Sequence, residues 1–262
     1  MSESKRRKRA ILCSLFLFLI GTIIALLPWF HKLWVNYTMR RDVQAFLSYV
    51  QVAPYAPGQK SIHEIIEEDR EVEEVILPTE HTQLWLDMQD YNQTIFWEDQ
   101  TGLSDPSAYE EASFRLADYG LESEVFGVLS IPRLELNMPI YLGAAKQNMA
   151  NGAAVMGQTS LPIGGSNTNC VLAGHRGWNG AAYFLYINQL EPGDTITVTN
   201  LWETLTYTVT ETKIINPNDV EAIHIQPGRE LLTLLTCHPP ASGGKQRYLV
   251  FCERTQTMEV LN

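Results

Sequence analysis

Residues 204–210 read Thr-Leu-Thr-Tyr-Thr-Val-Thr, a strict alternation of hydroxyl and larger, mainly apolar side chains. Successive residues of a strand face opposite sides, so this stretch offers one face to a core and one to water. Short runs of similar texture surround it between turn signals. They are Val125–Ile131, Met138–Leu142, Cys170–Ala173, Thr195–Thr199, Thr204–Ile215, Leu231–Thr236 and Tyr248–Glu253. Seven strands at this density predict a mostly β fold whose sheet is closed or nearly closed. Within this region Gly180–Leu190 is the one predicted helix.

Upstream the texture changes. Ala10–Phe30 (AILCSLFLFLIGTIIALLPWF) is 21 residues long and contains no Asp, Glu, Lys or Arg. A helix of ~20 apolar residues crosses a bilayer core. Lys5, Arg6, Arg7, Lys8 and Arg9 precede it, so residues 1–9 are expected in the cytoplasm and residues 31–262 outside. The apolar run is longer than the core of a cleaved signal, and Pro28-Trp29-Phe30 is not a small-residue cleavage site, which predicts a retained single-pass anchor. Residues 31–122 form a polar, acidic appendage. Arg40–Val50 has helical periodicity, and Leu84, Trp85, Met88, Tyr91 and Ile95 lay out a second helix over Leu84–Phe96. The acidic stretch His63–Val75 lacks the alternating Asp/Asn and turn glycine of a cation loop and reads as a solvated helix face. Residues 123–262 make up the β domain.

Charge and cysteine count narrow the function. The 262 residues carry 19 basic and 30 acidic side chains, a net −11. Residues 1–9 are locally +4, leaving −15 on residues 31–262. A body this acidic argues against nucleic-acid binding, which needs clustered Lys and Arg. Cys13 lies in the apolar stretch; Cys170, Cys237 and Cys252 lie beyond it. Three cysteines in an oxidising compartment point to one reactive thiol, with a Cys170–Cys252 pairing left open by the spacing. No C-x-x-C or His-x-x-His spacing appears, and neither a metal site nor a cofactor is expected.

Three pieces of the β domain carry chemistry. Leu172-Ala173-Gly174-His175-Arg176-Gly177 runs from a strand end into a glycine-flanked turn. Thr233-Leu234-Leu235-Thr236-Cys237 ends in a thiol just before His238-Pro239-Pro240, and Arg247 opens the final strand. Residues at strand ends are held by the scaffold yet stay reachable. A thiol, an imidazole and a guanidinium together suit covalent acyl transfer, in which the thiolate attacks and the imidazole moves protons. The guanidinium's fixed donors hold the oxyanion or the substrate backbone. His238 follows Cys237 directly and faces the opposite side, which makes it a poor base for its neighbour. Cys170 and Cys252 read as small buried apolar groups.

Thr233-Leu234-Leu235-Thr236-Cys237 resembles the TLxTC signature of sortases, the cysteine transpeptidases of the Gram-positive cell surface. Ala173-Gly174-His175-Arg176-Gly177 and Arg247 match the family's His and Arg in order and approximate spacing. Gly127–Pro132 and Pro139-Ile140-Tyr141 resemble its first two strands, so the likeness covers roughly residues 124–254. It implies an eight-stranded closed barrel with Cys237 as nucleophile, His175 as general acid and base, and Arg247 as oxyanion or substrate stabiliser. It also implies an LPxTG-like sorting signal cut between Thr and Gly, and an amine acceptor. The long N-terminal region and His175-Arg176-Gly177 are most similar to the pilin-polymerising class C enzymes, so a pilin lysine is the expected acceptor, with a cell-wall peptide amine the alternative. In that class a lid closes the groove. Asp105 and Pro106, in a loop over about residues 97–109, match its motif, while Ser107 stands where the motif has an aromatic. A plug over the thiol then comes from Tyr109 or Trp97, or is absent. Two other functions compete: a papain-like hydrolase, disfavoured because Cys237 ends a strand rather than opening a helix, and a non-catalytic surface binding module.

Overall fold

The structure, a computed structural model, describes residues 3–52, 80–104 and 109–255. Eight strands close into a barrel: β1 (Val125–Ile131), β2 (Leu136–Leu142), β3 (Ala153–Val155), β4 (Thr168–Ala173), β7 (Thr195–Thr199), β8 (Thr204–Ile215), β9 (Glu230–His238) and β10 (Gln246–Arg254). Around the barrel they follow the order β1-β2-β3-β4-β9-β10-β8-β7. All neighbours are antiparallel except β2–β3 and β4–β9, which run parallel. A separate hairpin pairs β5 (Arg176–Trp178) with β6 (Ala181–Tyr183).

The alternation in residues 204–210 does what its pattern dictates: Leu205, Tyr207 and Val209 are buried, and the threonines between them face outward. Phe126, Leu129, Met138, Ile140, Leu172, Leu234 and Val250 complete the interior. All six residues of β4 are buried, as suits a strand with a parallel neighbour and cover on both faces.

The seven expected runs are seven of the eight barrel strands. The eighth, β3, has only Ala153, Ala154 and Val155, too short and too small to show alternation, and it forms because β2 and β4 flank it. The helix expected over Gly180–Leu190 is not present. Asn179 and Gly180, both at positive φ (47° and 81°), close a tight hairpin, so Ala181–Tyr183 pairs back on β5; Ile187–Gln189 makes a single 3-10 turn. Two-residue turns of this kind match the twist of the strands that they join. A six-residue helix, α3, lies instead at Lys146–Asn151.

Helix α1 runs unbroken from Glu3 to Val52 and so joins the apolar stretch to the periodic segment after it. It is long and apolar enough to cross a membrane. Residues 11–34 are exposed, whereas Val35, Met39, Val43 and Phe46 form a buried stripe at helical spacing against β1 and β2. Helix α2, Glu80–Trp97, buries Leu84, Trp85, Met88 and Ile95. It is tied to the barrel by buried Asn92, which donates to Leu161 O (3.3 Å) and accepts from Leu161 N (2.7 Å). The acidic stretch His63–Val75 and the lid residues Asp105, Pro106 and Ser107 lie outside the described residues.

The pairing left open between Cys170 and Cys252 does not form. Both thiols are free and buried, and both residues register with Leu232 from opposite sides, on β4 and β10. Two strand spacings separate them by about 9.5 Å, beyond the reach of a disulfide.

Candidate active site

The site is assembled by register. In the parallel β4–β9 pair, Ala173 stands beside Leu235, and the pairing continues past the end of β4. Gly174 N donates to Leu235 O (3.0 Å), and Thr236 Oγ1 donates to Gly174 O (2.7 Å). His175 follows Gly174 directly, just past the end of β4, as Cys237 follows Thr236 in β9. On the other side of β9 the antiparallel pairing with β10 sets Arg247 directly opposite Cys237. The pairing thus sets thiol and guanidinium opposite each other, with His175 one residue beyond Gly174, which bonds to Leu235 and Thr236 of β9.

Arg247 is held by backbone oxygen. Its Nη1 donates to Gly244 O (2.7 Å) and Gln246 O (3.2 Å). Gly244, at φ 81°, belongs to the loop after β9 and lies close against both side chains. A Cβ there would stand 3.0 Å from Arg247 Nη1 and 3.4 Å from Cys237 Sγ. The guanidinium retains donors for a bound carbonyl.

His175 is half-buried in an aromatic corner. Its ring stacks on Trp178 at 4.7 Å and 18°, and meets Tyr183 edge-on at 5.8 Å and 88°. Burial lowers its pKa from the usual histidine value, which favours the neutral imidazole, able to accept a proton. Gly174 is required for space, because a Cβ would lie 2.6 Å from the Phe184 ring. Among the described residues no hydrogen bond links the three side chains to one another.

Sequence reasoning passed over Arg176. It is 8% exposed, with Nη2 donating to Asn188 Oδ1 (2.9 Å), Nη1 3.3 Å from His238 Nδ1, and its guanidinium 5.1 Å above the Tyr248 ring. Among the described residues no carboxylate pairs with it. Burial lowers its pKa, while the nearby Tyr248 and Cys237 oppose that shift. The signal available was its place next to His175; what the sequence could not show is that this cation is buried without a counter-ion. His238 is engaged by Arg176 and tilted against Tyr248.

Cys237 and Arg247 stand in a groove of about 260 Å³, with Tyr109, Met149, Met156 and Ile223 among the apolar lining. Gly174 lines this groove; His175 does not, and its ring stands on the Trp178 side. Of the two aromatics expected over the thiol, Tyr109 is at the groove. Its carbonyl accepts from Ala144 N (2.9 Å) and Gly157 N (3.2 Å), and its hydroxyl donates to Leu103 O (2.7 Å). Trp97, 80% exposed, lines a different cavity beside Gly164–Thr168.

Known proteins resemble this chain in sequence and in fold. The family model for the sortase domain matches residues 129–255. Sortase A of Streptococcus agalactiae (serotype III, strain NEM316) is 33% identical over 139 residues, 52% of this chain and 55% of that protein. Sortase D of Bacillus subtilis (strain 168) is 29% identical over 130 residues, 49% of this chain and 63% of that protein. The match thus spans little more than half the length of these curated relatives. Among solved structures, sortase C1 of GBS pilus island 1 superposes with a TM-score of 0.61 at 27% identity, covering 84% of this chain and 94% of that one. Sortase C-1 from Actinomyces oris superposes at 0.52 with 27% identity, covering 65% and 99%. The barrel is closed as in these enzymes, and residues 129–255 of this chain are a sortase domain.

Proposed function

We propose that this chain is a cysteine transpeptidase carried at the outer face of a membrane by α1. Residues 1–9 lie in the cytoplasm, 10–30 span the bilayer, 31–122 form the appendage, and 123–262 form the catalytic barrel. Cys237 Sγ attacks the threonyl carbonyl of an LPxTG-like sorting signal as the neutral His175 imidazole takes the thiol proton. Arg247 supports the oxyanion. The C–N bond to Gly then breaks, the leaving amine takes the proton from His175, and an acyl-thioester remains. An incoming amine attacks that thioester, gives its proton to His175 and releases the thiol with a new amide bond. The register that sets Arg247 opposite Cys237 is the observation that supports this reading most directly.

The preferred acceptor is a pilin lysine. This reading draws support from the solved relatives, one of which is titled a pilus-related sortase C of Group B Streptococcus (TM-score 0.54, 27% identity). A cell-wall peptide amine is the second reading, favoured by the curated relatives named sortase A. Tyr109 is the aromatic over the groove, and Asp105 with Pro106 remains the proposed lid.

The test is to incubate the full chain with candidate sorting peptides and either a pilin-derived lysine peptide or a cell-wall peptide amine, then weigh the products. The expected result is a joined peptide lacking the residues after Thr, absent in Cys237→Ala. Hydrolysed peptide alone in the presence of amine would favour a protease, and joining by Cys237→Ala would end the proposal.

A further inference from the structure

The β5–β6 hairpin touches α1 at one level. Asn179 Nδ2 lies 2.9 Å from His31 Nε2. A Cβ on Gly180, the next residue of the turn, would stand 3.3 Å from Lys32 Cβ. The apolar run of α1 ends at Phe30, and the helix rises ~1.5 Å per residue, so this contact lies within about 3 Å of the end of the hydrocarbon-crossing stretch. The headgroup layer on each side of a bilayer is about 5–7 Å deep. The buried stripe begins only at Val35, which places the hairpin tip among the parts of the barrel domain nearest the membrane.

The surface at that level has interfacial chemistry. Trp178 is 47% and Tyr186 49% exposed, and Trp29 and Trp34 bracket the same height on α1. Between helix and hairpin lies a cleft of about 410 Å³ lined by Lys32, Asn36, Trp178, Asn179 and Tyr186. An ammonium and two amides beside two amphipathic rings fit a phosphate ester above the start of acyl chains.

We infer that the β5–β6 hairpin is a second membrane contact, seating Trp178 and the Asn179–Gly180 turn in the phospholipid headgroup layer of the bilayer that α1 crosses. The inference rests on the reading of α1 as a membrane anchor. Its consequence reaches the chemistry: Trp178 stacks on the His175 ring, so a single indole separates the lipid from the proposed base. The barrel then stands at a fixed height and rotation, with the His175 side of the site toward the bilayer.

The experiment uses the full chain in phosphatidylcholine–phosphatidylglycerol vesicles, with and without lipid carrying a nitroxide on its headgroup. The emission of Trp178 is read as parent minus Trp178→Phe, a replacement that keeps a ring against the imidazole. Its contribution is expected to fall by about half or more when the nitroxide is present, as for an interfacial indole. The contribution of Trp97, read through Trp97→Phe, is expected to be unchanged. If Trp29's contribution is quenched and that of Trp178 is not, the hairpin contact is overturned while the anchor stands. If neither is quenched, the anchor itself fails and takes the contact with it.

Discussion

Arg247 faces Cys237 directly across the β9–β10 pair, and its Nη1 is fixed by Gly244 O at 2.7 Å. The guanidinium is therefore aimed before any substrate arrives. Lysine keeps the charge but has no planar fork to bind that carbonyl and a developing oxyanion together. Arg247→Lys is expected to lower kcat about 100-fold, in the range of losing one preorganised oxyanion donor. Turnover at the parental rate would remove Arg247 from the mechanism.

The three thiols beyond the apolar stretch differ in access. Cys170 and Cys252 are buried, and burial pushes both far above the ordinary thiol pKa. Cys237 is partly exposed in the groove. Brief treatment of the native chain with iodoacetamide at neutral pH is expected to modify Cys237 and leave the other two unlabelled, as read by peptide mass mapping. Equal labelling of Cys170 would mean that the barrel opens far more readily than its packing implies.

Arg176 is a buried cation with no carboxylate partner among the described residues, held by Asn188 and His238 and lying over the Tyr248 ring. Arg176→Met is expected to slow the alkylation of Cys237 at neutral pH several-fold, whereas Arg176→Lys, which keeps the charge, slows it less. Coincident rates for all three proteins, each folded by circular dichroism, would reduce Arg176 to a packing role.

Burial holds the His175 pKa below its unfolded value, so the unfolded chain binds the extra proton more readily. By linkage, the stabilisation is complete above about pH 6.5, the ordinary histidine value. It is lost as the pH falls through the folded-state value. The thermal midpoint is expected to drop between pH 7 and pH 5, with a smaller drop in His175→Gln. Matching acid sensitivity in the two proteins would show that His175 is solvated.

The sequence was legible where one pattern sufficed. Residues 204–210 announced β8 because a strand with one wet face must alternate, and Leu84, Trp85, Met88 and Ile95 announced α2 by their helical spacing. β3 was hidden because Ala153, Ala154 and Val155 gain strand geometry from neighbours rather than from themselves. The helix expected over Gly180–Leu190 gives way to a turn at Asn179–Gly180 whose two positive φ angles no periodicity records. At the candidate site, residue types and order could be read directly, but their convergence could not. Sixty-two positions separate His175 from Cys237, and only the parallel β4–β9 pairing draws the segments that carry them alongside each other. Arg176 was invisible for the same reason, since the absence of a carboxylate beside it among the described residues is a property of the fold and not of its neighbours in sequence.

The last strand carries a consequence for biosynthesis. β10 seals the barrel against both β8 and β9 and also supplies Arg247, while β4 and β9 meet only after a long stretch of intervening chain has formed. Pairings so distant in sequence come slowly. A nascent polypeptide can therefore hold Cys237 before Arg247 stands opposite it. On the proposed reading, competence for acyl transfer arrives only with the finished, sealed cylinder.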